Sequence, residues 1–233
     1  MKHFSNRYIF IFSAIMVVIV ATILSMAATL LKPFQEKNLE VAKKRSMLES
    51  INIPADRKNA EDLYSRYIRE SFVLDSRGNR KEGIDAFNVE MSLEQKKPLD
   101  EQSLPVFYGT LDDGDKVIIL PLQGKGLWGP IWGFLSLGKD MNTIYGVTFD
   151  HKGETPGLGA EINTTPFENQ FKGQQLFDNG TFVSVKVQKR NEKKIPHHSV
   201  DAISGGTITS KGLQAMLYDC LVKYEDYLKK NAK

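Results

Sequence analysis

The stretch Asp201-Ala202-Ile203-Ser204-Gly205-Gly206-Thr207-Ile208-Thr209-Ser210 decides how this chain is read. It stands just ahead of a helical pattern carried by Leu213, Met216, Leu217, Cys220, Leu221, Tyr224 and Leu228. Two adjacent glycines lie between hydroxyl residues where a helix should start. Glycine lets successive backbone N–H groups turn toward one point, and a helix N-terminus adds partial positive charge. Such a place can hold a phosphate. The hydroxyl of Thr207 falls within that cradle and could itself carry the phosphate as an ester. The plainer alternative is an ordinary helix cap by Thr209 or Ser210, with the helix running on from Lys211. The two are compatible, because a capped helix can still hold the phosphate.

Two further glycine-rich blocks lie upstream. Gly124-Lys125-Gly126-Leu127-Trp128-Gly129 matches the spacing of a dinucleotide fingerprint, which requires a helix to open at its third glycine. The following Pro130-Ile131-Trp132-Gly133-Phe134 is strand-like, so NAD binding is rejected. Glu154-Thr155-Pro156-Gly157-Leu158-Gly159 reads as a tight loop whose backbone can approach a ligand closely. In that loop Glu154 and Thr155 offer polar groups and Leu158 offers an apolar face to a flat ring.

The run Asp201-x-x-Ser204-Gly205-Gly206-Thr207 resembles the flavinylation motif D-x-x-S/T-G-A-T of FMN-binding domains, with Gly206 replacing the usual alanine. The segment Gly126 to Phe134 resembles the glycine- and tryptophan-rich strand entry of that family. Glu154 to Gly159 resembles its E-T-P-G-L-G block. The three blocks come in family order. The likeness is closest to the C subunits of Na+-translocating NADH:quinone reductases, and the G subunits of Rnf-type complexes are the nearest rival.

The resemblance implies FMN esterified to Thr207 by a flavin transferase. It also implies a site drawn from Asp201, Ser204, Gly205, Gly206, Glu154, Thr155, Leu158, Gly159 and Trp128. The implied role is that of an electron-carrier subunit among other membrane subunits of a bacterial inner-membrane complex, inactive toward NADH alone. A membrane-anchored FMN-binding regulatory module is the alternative from another class.

From Ile9 to Leu31 the chain carries no charged residue. About 20 apolar residues span the hydrocarbon core of a bilayer as a helix. Tyr8 anchors one end, and Lys32-Pro33-Phe34 is expected to stop the helix at the other. A cleavable signal sequence is the rival, but its apolar region is only about 7–15 residues long, so the length favours an uncleaved anchor. Lys2 and Arg7 precede the segment, while Lys32, Lys37, Lys43, Lys44 and Arg45 follow it. Long folded domains cross membranes largely regardless of such counts, so charge leaves the orientation open. The family resemblance places the domain on the periplasmic side.

These readings divide the chain into a tail (1–7), a transmembrane helix (8–32), a helical connector (33–56) and an FMN-binding α+β domain (57–233). A helix is expected from Gln35 to Ile53, ended by Pro54, and another around Leu63 to Ile68. Strands are expected at Phe72–Asp75, from Val106, around the hairpin signal Asp113-Gly114, and at Trp132–Leu137, Ile144–Asp150 and Thr181–Val187. Phe167 to Phe171 suggests a short helix. Residues 84–104 lack a period and read as an irregular surface segment.

At 233 residues, with 41% hydrophobic and 25% charged residues, the chain has an ordinary globular composition. A net charge of +3 without an aromatic-and-basic stripe gives no support to a nucleic-acid partner. Cys220 is the sole cysteine and fits a buried apolar filler. The adjacent His197 and His198 point apart if extended, which argues against a metal site; His151 is a candidate for lining the flavin pocket.

Overall fold

The computed structural model describes residues 5–232; Lys2 and the start of the expected tail lie outside the described residues. The chain divides into two compact units, Met1–Lys43 and Lys44–Lys233.

Helix α1 spans Asn6–Ser50 and contains the apolar run. Among the described residues it is the one helix long and apolar enough to cross a membrane. In the first unit the hydroxyls of Thr22 and Thr29 donate to Val18 O and Ser25 O, at 2.8 and 2.9 Å, so these polar groups are satisfied within the helix. The helix continues through Pro33 instead of stopping there. A proline inside a helix removes one amide hydrogen bond, and the good helix formers on either side carry the segment on.

The second unit is built on a six-stranded antiparallel sheet whose strands lie in the order Arg80–Lys81, Ile68–Leu74, Leu104–Thr110, Lys116–Lys125, Pro130–Leu137 and Ile144–His151. After α2 (Ala60–Tyr67) come β1 (Ile68–Leu74) and β2 (Arg80–Lys81). The short α3 (Met91–Glu94) precedes β3 (Leu104–Thr110), β4 (Lys116–Lys125), β5 (Pro130–Leu137) and β6 (Ile144–His151). Alternation along the strands sends side chains to two covered faces. One receives Phe72, Leu74, Val106, Ile118, Leu120 and Leu135, the other Val73, Phe107, Val117, Ile119 and Phe134. The first face packs under α5 (Thr207–Leu221) through Leu213, Met216 and Leu217. The second packs against Met47, Leu48 and Ile51 near the end of α1 and against residues from the 84–104 segment.

That segment is therefore no mere surface excursion. Ala86, Val89 and Met91 are buried in the second face, and the Glu94 carboxylate is held by Lys97 and by Ser103 N–H. Its periodicity is weak because it consists of single turns, each contributing one or two residues to the core.

Between β6 and α5 lie α4 (Thr165–Glu168) and four short strands. β7 (Phe177–Asp178) pairs with β8 (Thr181–Phe182), and β9 (Lys186–Gln188) pairs in parallel with β10 (Ser199–Asp201). The strand expected over Thr181–Val187 is thus split, with Ser184 at φ 58° between its halves. The chain closes with α6 (Glu225–Asn231).

Candidate functional site

Three connections converge at one end of the sheet. The turn between β4 and β5 is closed by Gly126 N–H donating to Gly129 O at 2.8 Å. It joins two antiparallel strands, so the G-x-G-x-x-G run opens no helix and cannot act as a dinucleotide fingerprint. The second connection is the Glu154–Gly159 loop that follows β6. The third is the turn at Ser204-Gly205 that leads into α5.

Glu154 ties the three together. Its Oε1 accepts Trp128 N–H at 2.8 Å, and its Oε2 accepts the Thr209 hydroxyl at 2.6 Å. Its own N–H donates to His151 Nδ1 at 3.2 Å. A Cβ on Gly159 would run into both Glu154 Oε2 and Thr209 Oγ1. Glycine there is what lets the clamp close. The polar group expected of Glu154 toward a ligand is therefore turned onto protein donors. His151 likewise serves the clamp.

Thr207 is the first residue of α5 and is exposed, whereas the sequence suggests a helix only from Lys211. Gly206 occupies the N-cap position, and no side chain caps the helix. Thr209 and Ser210 lie inside it, and both hydroxyls are engaged elsewhere: Thr209 with Glu154, and Ser210 as acceptor for Ile203 N–H at 3.1 Å. The first-turn amides have no acceptor within the helix and are free for an anion. Gly205 adopts φ 76°, the left-handed region that favours glycine. A Cβ there would stand 2.6 Å from Leu158 Cδ2, so Leu158 lies directly over the turn. Leu158 and Trp128 are 42% and 70% exposed.

A cavity of about 870 Å³ opens beside Thr207. Phe167, Val187 and Ile203 give it apolar walls, while Lys186, Gln188 and Lys211 give it polar edges. Lys211 stands four residues after Thr207 and shares its helix face. Gln188 Oε1 is buried with no hydrogen-bond partner among the described residues. Of the expected site residues, Asp201, Ser204, Gly205 and Thr207 line this cavity; Trp128, Glu154, Thr155, Leu158, Gly159 and Gly206 do not. No motif marks Lys186 or Gln188 in the sequence. They join the site only through the parallel pairing of β9 with β10, which ends at Asp201.

This residue set fits FMN. Uncapped amides and a glycine turn suit the phosphate, an accessible hydroxyl stands within the turn, and apolar walls with carboxamide and ammonium edges suit a flat heterocycle. Other polar groups are accounted for structurally. His198 Nδ1 is 2.8 Å from Gln175 O. Burial pushes the Cys220 thiol up, against the lowering effect of a hydrogen bond from Gln123 N–H, which makes it an inert core group. Among the described residues no three His, Cys, Asp or Glu side chains converge as a metal site.

Comparison with known proteins gives the same picture. Residues 126–222 match the FMN-binding domain family. The C subunit of the Na(+)-translocating NADH-quinone reductase from Vibrio vulnificus is 31% identical over 208 residues, covering 82% of this chain and 81% of that protein. Its Haemophilus ducreyi counterpart is 29% identical over 210 residues, covering 84% and 81%. The crystal structure of the reductase's C subunit from Parabacteroides distasonis superposes with a TM-score of 0.79 at 43% identity, over 85% of this chain and 96% of that one. That of NqrC from Shewanella oneidensis gives 0.68 at 25% identity, over 80% and 94%.

Proposed function

The chain belongs to the family of C subunits of the Na(+)-translocating NADH-quinone reductase, and on that footing we propose that it is the membrane-anchored electron-carrier subunit of such a complex, with FMN esterified to Thr207. Bound FMN supplies the redox chemistry, accepting and passing electrons between neighbouring carriers. The chain's own task is placement. Thr207 presents the hydroxyl, the first turn of α5 receives the phosphate charge, and two surfaces flank it for the ring, the loop side with Leu158, Thr155 and Trp128 and the cavity side with Gln188.

One observation carries the reading. Of the two threonines at the helix start, Thr207 has the accessible side chain, whereas the hydroxyl of Thr209 is buried and donated to Glu154. Direct condensation of FMN with an alcohol is uphill in water, so the donor is a flavin pyrophosphate such as FAD. With such a donor the Thr207 hydroxyl would be the nucleophile toward the flavin-side phosphorus, AMP would be the leaving group as the pyrophosphate P–O bond broke, and the hydroxyl proton would pass to the medium. A flavin transferase performs this step, and the other membrane subunits of the reductase are the partners in electron transfer.

The apolar part of α1 is the anchor, crossing the bacterial inner membrane once, and the folded domain lies on the periplasmic side. Exposed Ile, Val, Leu and Phe side chains along this helix support that role. The relatives described above are all C subunits of the reductase, which supports that complex over an Rnf-type one or a regulatory module.

Mass spectrometry of the intact chain tests the reading. Co-expression with a flavin transferase should add the mass of one FMN less water, and Thr207→Ala should abolish the gain. An undiminished adduct in the variant would refute Thr207 as the acceptor.

A further inference from the structure

Asp201 opens the attachment segment, and its carboxylate is not free. Lys194 Nζ stands 2.5 Å from Asp201 Oδ1, and Arg190 Nε stands 3.9 Å from Oδ2. The same ammonium donates to Gln188 O at 3.2 Å and to Val200 O at 3.3 Å. Two hydrogen bonds hold the ammonium on these carbonyls and set its charge against the Asp201 carboxylate, whose buried Oδ1 has no hydrogen-bond donor of its own. Gln188 O belongs to the end of β9 and Val200 O to β10, so one cation fastens both strands and the carboxylate at the strand end.

The fastening continues toward Thr207. Asp201 N–H donates to Gln170 Oε1 at 2.8 Å, and Ala202 N–H donates to the same Gln188 carbonyl at 2.7 Å. Ile203 N–H reaches Ser210 Oγ, and Gly206 N–H reaches Ile203 O at 3.1 Å. Asp201, Ala202, Ile203 and Gly206 are thereby tied through their N–H groups, and Lys194 holds the upstream end. Its side chain is 38% exposed and that of Asp201 is 35% exposed. A half-exposed ion pair adds little to global stability. What it contributes is geometry.

We propose that Lys194 is a positioning residue for flavin attachment: it sets the orientation of Asp201 and the register of Ser204 to Thr207 as a flavin transferase meets them. Lys194 lies outside the D-x-x-S-G-x-T run, reaching it by the fold of the 189–198 connection between the parallel strands. The inference rests on the reading of Thr207 as the acceptor.

The full chain in detergent, with a purified flavin transferase and FAD, provides the test. Initial rates of flavin incorporation are followed by mass and by in-gel flavin fluorescence for wild type, Lys194→Met, Lys194→Arg, Asp201→Asn and the double variant Lys194→Met/Asp201→Asn. Lys194→Met should lower kcat/KM for the chain as substrate by about tenfold, the scale of one charge-assisted contact. The end point should still reach one flavin per chain, and the melting temperature should stay near wild type. Lys194→Arg should recover most of the rate, and the double variant should be no slower than the slower single one, as partners in one contact require. If Lys194→Met fails to fold, Lys194→Gln serves in its place, keeping donors for the two carbonyls while removing the charge facing Asp201. Wild-type rates in the folded neutral variants, or losses that multiply in the double variant, would overturn the proposal. If the wild-type chain itself takes up no flavin at Thr207, the reading of the attachment site fails instead.

Discussion

The Thr209 hydroxyl donates to the Glu154 carboxylate across 2.6 Å, inside the wall that separates the Trp128 turn from the start of α5. Both side chains are buried, and the other carboxylate oxygen takes Trp128 N–H. Two of the family blocks therefore meet the attachment helix through one carboxylate. Removing one partner of a buried hydrogen bond leaves the other unsatisfied and costs about 1–3 kcal/mol.

Thr209→Val should accordingly destabilise the domain by about 1–3 kcal/mol in urea unfolding, because it strands Glu154 Oε2. Flavin attachment should survive in the folded fraction, since the Thr207 hydroxyl is untouched. Loss of the covalent adduct in folded Thr209→Val would show that the acceptor had been misassigned.

The adjacent glycines should behave oppositely. Gly205 combines φ 76° with Leu158 Cδ2 only 2.6 Å from a would-be Cβ, so Gly205→Ala meets both backbone strain and a clash. Gly206 has φ −99° and offers 3.0 Å to Ile203 Cγ2, a tight contact that a small shift of that half-buried side chain relieves. Gly206→Ala, which restores the family's usual alanine, should keep attachment and change the melting temperature by no more than about 2 °C, on the usual scale for small changes in stability. Gly205→Ala should lower the melting temperature further and slow attachment. Equal behaviour of the two variants would contradict this account of the turn.

Much of this site is legible in the sequence because its three blocks are short, local and glycine-marked. A positive-φ turn, a hairpin turn and a helix start each leave a signature in consecutive residues. The clamp is not legible, since nothing in consecutive residues says that Glu154 will face Thr209 rather than a ligand. Helix α5 starts earlier than its sequence suggests for a related reason. Thr209 and Ser210 have the side chains of helix caps, but tertiary partners claim their hydroxyls and leave the N-cap to Gly206. Gln188 and Lys194 leave no signal because they act through the parallel pairing of two three-residue strands, which has no detectable period. Core strands such as β4 and β5 are readable from apolar runs, whereas the single turns within 84–104 are not, despite burying Ala86, Val89 and Met91.

The domain's stability should depend on pH through Glu168. Burial pushes its carboxyl up to about 7 from an ordinary 4.5, with the charges of Glu49 and Asp150 adding to the rise and Phe149 N–H, donating at 2.8 Å, opposing it. The folded state thus binds the proton more tightly than the unfolded chain. The resulting stabilisation is fully present below about pH 4.5 and is lost as the pH rises to about 7. Glu168→Gln keeps an acceptor for Phe149 N–H and removes the titration. Its melting temperature should fall less than that of wild type between pH 5 and about pH 8, where one buried carboxylate must ionise. Parallel melting curves for the two proteins across that range would rule out the effect.

The place of the flavin ring can be decided between two surfaces that flank Thr207. On one side Leu158 lies over Gly205 and is 42% exposed, offering an apolar face beside the exposed Trp128. On the other side is the cavity, where Gln188 Oε1 has no partner among the described residues and would accept from a ring N–H. Hydrogen bonds to the ring edge and dryness of the surroundings are the protein's means of tuning a flavin. If the ring rests on the loop, Leu158→Asp should shift the visible spectrum or reduction potential of the attached FMN, and Gln188→Leu should leave both unchanged. If the ring enters the cavity, the pattern should reverse, because Gln188→Leu removes the acceptor while Leu158 stays on the outer face. The spectrum of each variant, recorded with full flavin incorporation confirmed by mass, separates the two. An unchanged spectrum and potential in both variants would place the ring in solvent, tethered only at Thr207.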